Sequence, residues 1–235
     1  MSPRLIDNRW FVLGLALGSV LAAAVFAALS TDDAVTHALR EGGPVEVVSA
    51  GLHFAVAALA LWLWTRRGGM IGALAVTELL MGLREVDAHK AFTTHGLFST
   101  KQYFRPDTPG LEKVISAVIV LLILAAVVAA FWGARRELKA LIARRAAAIY
   151  GLVTLLATIV LLKEVDGAPR MLAKIGLPLS EHAYRFSLAI EEIGEMFLPL
   201  LALALVIQIA RAPSGVPAPF VIDGTTDDRK ATRPV

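Results

Sequence analysis

Apolar residues fill six long segments of the chain, and short polar or charged stretches separate them. The segments run from Trp10 to Leu29, Val47 to Thr65, Met70 to Leu83, Val114 to Trp132, Ala146 to Leu162 and Ile193 to Ala210. A bilayer core about 30 Å thick needs about 20 mostly apolar residues for each spanning helix. The pattern therefore predicts an all-α, polytopic membrane bundle of six transmembrane helices within residues 1–212.

The third segment, Met70 to Leu83, is short for a membrane span. It reaches spanning length only if its helix continues through the phrase "REVDAHK", residues 84–90. We therefore expect this helix to continue past Leu83, with the charged residues at the membrane interface. The first segment is expected to be a retained helix, because its apolar core is longer than the about 7 to 15 residues of a signal peptide.

Composition supports a membrane protein and excludes several kinds of site. The chain is 57% hydrophobic and 18% charged, and its mean hydropathy of +0.66 is well above that of soluble domains. Because cysteine is absent, disulfides and thiolate metal ligands are excluded. The net charge is +3, and the basic residues lie in short loops rather than in one patch. The expected partner is therefore the lipid bilayer and not nucleic acid.

Basic residues in the short loops predict the orientation of the helices. The loop "TRRGG" contains two arginines and no acid, and "ARRELKALIARR" contains five basic residues against Glu137. Loops of this kind lie on the cytoplasmic side, which places both termini there as well. The segment 213–235 is rich in Pro, Gly and polar residues, and it is expected to be a flexible cytoplasmic tail.

Two similar charged phrases follow apolar runs about eighty residues apart. "REVD" occupies residues 84–87 and "KEVD" occupies residues 163–166, and a Gly-Leu pair follows each one downstream. In the predicted topology both phrases lie at the outer, non-cytoplasmic membrane level. They predict a parallel internal repeat in which spans two and three correspond to spans four and five.

Ionisable side chains from four helices are expected at this outer level. Such groups are costly in hydrocarbon and usually face the interior of a bundle or a wet cavity, so they indicate a functional site. The residues expected to form the site are Glu78, Glu85, His89, Glu164, Glu191, Glu195 and His53.

Helical spacing relates these side chains to one another. At about 100° per residue, Glu78, Glu85 and His89 share one face of the third helix. Glu191 and Glu195 likewise share a face of the last helix, whereas Glu192 is expected to point elsewhere. We expect Glu85, Glu164 and either Glu191 or Glu195 to lie close together, because carboxylates at one depth are costly unless they share a cavity, a cation or protons.

Carboxylate oxygens with one or two imidazoles suit a divalent metal ion such as Zn, Mn or non-haem Fe, which is therefore the expected cofactor. A second interpretation is purely structural. Arg84, Asp87, Lys90, Lys163 and Asp166 would then be interfacial charges that extend to water or pair at helix ends. His53 would be a packed, hydrogen-bonded histidine.

The outer loop "TTHGLFSTKQYFRPDTPG", residues 93–110, alternates aromatic and basic residues. This composition is typical of a segment that lies on lipid headgroups, with rings in the aromatic belt and cations near phosphates. A lid over the acidic residues is the alternative.

The stretch "LREVDAHKAFTTHGLFSTKQYF" resembles a phrase of a group of uncharacterised bacterial inner-membrane proteins, in which Arg-Glu-x-Asp-x-His-Lys-x-Phe-Thr ends a span. The residues that match are Arg84, Glu85, Asp87, His89, Lys90, Phe92 and Thr93. The resemblance covers about a tenth of the chain. It implies a location in the bacterial inner (plasma) membrane and carries no activity with it.

Three functions remain open at this point. The first is a cation or proton site that serves transport or sensing. The second is a membrane-embedded metal enzyme that acts on a lipid or lipid-linked substrate, in which the ion would activate water. The third is an accessory subunit whose charges pair with another membrane protein or a second copy. The sequence contains no HExxH, GxSxG or P-loop motif that would favour a familiar enzyme.

Overall fold

The computed structural model describes residues 3–40, 42–67, 69–88 and 90–212, and every regular element in these ranges is an α-helix. The helices are α1 (Pro3–Ile6), α2 (Phe11–Leu29), α3 (Asp32–Ala38), α4 (Pro44–Arg67), α5 (Gly69–Glu85), α6 (Thr100–Phe104), α7 (Gly110–Ala143), α8 (Ala147–Lys174) and α9 (Glu181–Arg211). The predicted all-α class is confirmed. The expected flexible tail, residues 213–235, lies outside the described residues.

Five helices of the described chain are long and apolar enough to cross a membrane, namely α2, α4, α7, α8 and α9. The sixth predicted segment also forms a helix, α5, but this helix has only 17 residues. At 1.5 Å per residue it is about 25 Å long, which is shorter than the about 30 Å hydrocarbon core. The structure thus shows a multi-pass membrane architecture with five candidate spans.

The expected continuation of the third apolar segment through residues 84–90 is wrong, because α5 ends at Glu85. Asp87 has a left-handed backbone with φ of 51°. The N–H of Ala88 donates to the carbonyl of Leu83, and the N–H of Asp87 donates to the carbonyl of Arg84. This is the Schellman pattern of helix ends, and Asp is one of the few residues other than Gly that tolerates its left-handed position.

Helix α9 lies at the centre of the bundle. It packs against α2, α4 and α8, and it also contacts α5. Its buried residues lie on several sides of the helix and include Gly194, Leu201, Ala202 and Leu205. Small residues such as Gly194 and Ala202 let helix backbones approach closely, which is one way in which membrane helices associate.

The two predicted hairpins pack differently. α4 and α5 pack along each other, whereas α7 packs mainly on α5 and touches α8 only slightly. The phrase "REVD" coincides with the end of α5, whereas "KEVD" lies inside α8, which continues to Lys174. The internal repeat of equivalent hairpins is therefore not confirmed.

Candidate functional site

A buried histidine–glutamate pair joins α4 to α5. His53 Nδ1 lies 2.8 Å from Glu78 Oε2, and the two residues are only 1% and 3% exposed. Gly82, one turn after Glu78, allows the two helices to approach here. A Cβ at this position would lie 3.2 Å from the Cβ of His53 and 3.0 Å from the ring of Phe54. The close packing of α4 on α5 therefore sets the geometry of the pair.

A buried ring nitrogen on α4, Nε2 of His53, has no hydrogen-bond partner among the described residues. Ser49 lies four positions earlier on the same face of the helix, and its hydroxyl interacts with the carboxylate of Glu85. Nearly all buried polar atoms in proteins are hydrogen-bonded, so an unpaired imidazole nitrogen marks an unusual site. Nε2 can accept a proton in the tautomer in which Nδ1 carries the hydrogen shared with Glu78.

Carboxylates at the start of α4 and the end of α5 gather against the middle of α9, and we call Glu46, Glu85, Glu192 and Glu195 the acidic mouth. The charge of Glu192 interacts with those of the other three, and the charge of Glu85 interacts with that of His53. Glu46 precedes His53 by seven residues, and Glu85 follows Glu78 by seven. The acidic mouth therefore lies about two helical turns from the buried pair along both helices.

Arg84 is the cation of the acidic mouth. Its guanidinium lies 3.3 Å from both carboxylate oxygens of Glu195 and so links α5 to α9. The side chain of Arg84 is 48% exposed and that of Glu195 is 17% exposed. Because the pair is open to the surroundings, we treat its stabilising effect as modest.

A second group of charges connects α9 to α8. Glu191 interacts with Asp166 and Glu195. Asp166 pairs with Arg170 at 2.9 Å and also with Lys163. This carboxylate therefore receives two cations from its own helix and adjoins Glu191 of the next one.

The structure brings together only some of the residues that the sequence predicts. Glu85 and Glu191 both interact with Glu195, and Glu78 lies deeper, paired with His53. Glu164 is exposed and lines a cleft between α5 and α8 together with Arg84 and Glu195. His89 lies outside the described residues.

Three carboxylates of the site were missed by sequence reasoning, namely Glu46, Glu192 and Asp166. Glu192 interacts with charges of α4 and α5 while Glu191 interacts with Asp166 of α8, so these two neighbours face different helices. The reason is that α9 is central and has neighbours on several sides. Asp166 was missed because α8 continues through "KEVD", so that residues 163, 166 and 170 share one face.

Metal ligation is not evident in the described part of the chain. No group of three or more His, Asp and Glu side chains there is arranged to hold a metal ion. The buried pair supplies two of the ligands that an ion would need, and the third expected neighbour, His89, falls outside the described residues. A bound Zn, Mn or Fe ion stays a prediction.

The outer loop is folded against the start of α7. The carboxylate of Glu112 accepts hydrogen bonds from the backbone and hydroxyl of Thr94 and from the amide of Gln102, which is fully buried. His95 Nε2 lies 3.1 Å from Asp107 Oδ2, and this hydrogen bond lowers the pKa of Asp107 below its usual value. Both the headgroup-contact and the lid interpretations of this loop stay hypotheses.

The arrangement of helices defines an all-α, multi-pass membrane protein. Comparisons with protein-family models, curated proteins and solved structures found no match.

Proposed function

We propose that this protein is a six-span bacterial inner-membrane protein that binds protons from the non-cytoplasmic side, for proton-coupled transport or for pH sensing. The observation that carries the proposal is the buried hydrogen bond between His53 and Glu78, two turns below the acidic mouth. Buried ionisable pairs within membrane helices commonly form proton relays.

The chemistry of the pair supports reversible proton binding. With Glu78 ionised, the imidazole of His53 donates from Nδ1 and keeps a free lone pair on Nε2. A proton added at Nε2 converts a buried negative charge into a neutral ion pair. That change is favourable in a low-dielectric interior, where an uncompensated charge is costly. His53 and Glu78 therefore act together as the proton-binding unit.

The acidic mouth supplies the route from the outside. Its carboxylates lie on α4, α5 and α9 and interact with one another, and such groups are costly unless they share protons or a cation. Arg84 holds Glu195 in place, while the charge of Glu85 also interacts with that of His53. We propose that protons pass from the acidic mouth by way of Glu85 to Nε2 of His53.

Six spans follow if α5 crosses the membrane with its neighbours. Spans of about 17 residues lie at the short end of the usual range, and α5 has 17. α4 and α7 pack against α5, so few side chains of α5 need to contact lipid. With the arginine-rich loops inside, this count places both termini in the cytoplasm and the acidic mouth outside.

The test follows the ring nitrogens of the histidines by NMR. The full chain, labelled with 15N-histidine and placed in lipid nanodiscs, is titrated from about pH 4 to about pH 9, a range that brackets the ordinary histidine pKa. We expect the Nε2 signal of His53 to titrate, and Glu78→Gln to change its midpoint. His37→Gln is the control, because His37 is exposed on α3. A His53 signal that stays constant over the whole range overturns the proposal.

Transport and sensing are separated by a second measurement. The protein is placed in liposomes that contain a pH-sensitive dye. The solution outside is then made more acidic than the interior. Proton entry that His53→Gln abolishes indicates transport. A titrating His53 without proton entry indicates sensing.

A further inference from the structure

A lateral cleft of about 360 Å³ separates α5 from α8. α5 packs mainly on α4 and α7, and α8 packs on α9, so α5 and α8 leave a gap that α9 closes from behind. Its volume lies within the about 300 to 1,000 Å³ of small-molecule sites. The cleft is therefore large enough for part of a ligand.

The walls of the cleft are apolar along most of their length. Met81 of α5, Val160 of α8 and the buried Leu198 of α9 contribute to them. Val160 is 60% exposed, so this wall is open to the medium around the bundle. Because α8 and α9 are candidate membrane spans, that medium is lipid, and a hydrocarbon chain fits such a surface.

The other end of the cleft carries charges of both signs. Arg84 and Lys163 supply two cations, and Glu164 and Glu195 supply two carboxylates. The side chains of Arg84 and Lys163 are 48% and 69% exposed, so both can reach a further partner. A headgroup with a phosphate and an amine complements this arrangement, since phosphate binds the cations and ammonium binds a carboxylate.

We propose that the cleft binds one phospholipid with an amine-bearing zwitterionic headgroup, taken from the leaflet at the level of the acidic mouth. Its acyl chain lies against Met81, Val160 and Leu198. Its phosphate contacts Arg84 and Lys163, and its ammonium contacts Glu164. Because the phosphate would share Arg84 with Glu195, the bound lipid also adjoins the acidic mouth.

The experiment measures the phospholipid that stays on the protein. The full chain is placed in nanodiscs of phosphatidylethanolamine and phosphatidylglycerol, extracted into mild detergent, and weighed by native mass spectrometry. We expect one phosphatidylethanolamine per chain. Val160→Trp fills the cleft and should remove this lipid, whereas Val153→Trp should keep it, since Val153 is equally exposed on α8 and lies outside the cleft lining.

A second pair of variants tests the headgroup contact without altering the apolar wall. Lys163 and Arg170 are both exposed and both pair with Asp166, but only Lys163 is among the cleft residues. Lys163→Gln should weaken lipid retention by about two- to fivefold, the size expected for one exposed charge contact. Arg170→Gln should leave it unchanged. If Val160→Trp fails to fold, the comparison of Lys163→Gln with Arg170→Gln still tests whether the cleft binds the lipid.

Several results would overturn the proposal. Equal retention in both tryptophan variants, or in both glutamine variants, would show that lipid binds elsewhere. Preference for phosphatidylglycerol would exclude the contact between the amine and Glu164. Displacement by inorganic phosphate alone would indicate an anion site, and a dimer mass lost only in Val160→Trp would show that a second copy occupies the cleft.

Discussion

The guanidinium of Arg84 contacts both carboxylate oxygens of Glu195, each at 3.3 Å, and thereby ties the short helix α5 to the central helix α9. Glu85 and Glu192 lie within electrostatic range of the same carboxylate. Arg84 thus offsets negative charge in a region where carboxylates predominate. Removing Arg84 and removing Glu195 should therefore have unequal effects on stability.

Arg84→Gln should therefore destabilise the protein more than Glu195→Gln does. Loss of the cation leaves the carboxylates of the acidic mouth repelling one another, whereas loss of Glu195 also relieves repulsion. Since Arg84 is half exposed, we expect a cost of about 1 kcal/mol or less. Thermal unfolding in one detergent measures both variants. Arg136→Gln, on the exposed surface of α7, is the control, and an Arg84 effect no larger than this control would contradict the prediction.

The sequence predicts helices well and their ends less well. Each of the six apolar segments lies within a helix, to within one residue at its start, because a long stretch buried in lipid or protein is apolar whichever neighbour covers it. The end of α5 depends instead on the single left-handed residue Asp87. Hydropathy predicts that Asp87 lies at a polar position near the membrane interface. It does not indicate the left-handed backbone conformation of this residue.

The site shows a similar division. The helical period correctly places Glu78 about two turns deeper than Glu85. Contacts between helices, in contrast, depend on which helix is central in the bundle. For that reason the partnership of Glu78 with His53, and the inward position of Glu192, emerge only from the packing of α4, α5 and α9.

Gly82→Ala should disturb the buried pair. The added methyl would lie 3.2 Å from the Cβ of His53 and 3.0 Å from the ring of Phe54, so α4 and α5 would have to separate slightly. We expect lower thermal stability despite the about 0.5 to 1 kcal/mol that Gly→Ala normally adds to a helix. Gly51→Ala on α4, where a Cβ meets nothing within 4 Å, should instead be neutral or stabilising. Equal effects of the two substitutions would show that close packing at Gly82 is unimportant.

The outer loop should loosen in acid. The hydrogen bond with His95 lowers the pKa of Asp107 below its usual value in the folded loop. The contact therefore stabilises the loop at neutral pH and is lost as the pH falls through that lowered pKa. Hydrogen–deuterium exchange of residues 94–108 should increase below about pH 4, near the ordinary pKa of Asp. Asp107→Asn should exchange faster at neutral pH and lose this acid dependence, and an unchanged profile would contradict the prediction.

Reporter fusions test the proposed orientation. A fusion near Leu141, in the basic end of α7, should read as cytoplasmic, and a fusion near Thr100 should read as external, because basic loops stay inside. A fusion near Gly68 should also be cytoplasmic, and together with an external Thr100 this requires α5 to cross the membrane. If Thr100 and Leu141 report the same side, α7 does not span. An inverted pattern would place the acidic mouth in the cytoplasm.

Glu78 and His53 should depend on each other for stability as well as for proton binding. Glu78→Leu leaves Nδ1 of a buried histidine without its partner, so we expect a loss of about 1 to 3 kcal/mol. Replacing both residues by leucine should recover most of this loss, since an apolar pair removes both desolvation penalties. Unfolding of the two single variants and the double variant gives the coupling energy, and the pH response of the His53 signal should change in Glu78→Leu as it does in Glu78→Gln. Additive effects, with Glu78→Leu as stable as the wild type and with an unchanged His53 signal, would reduce the pair to ordinary packing.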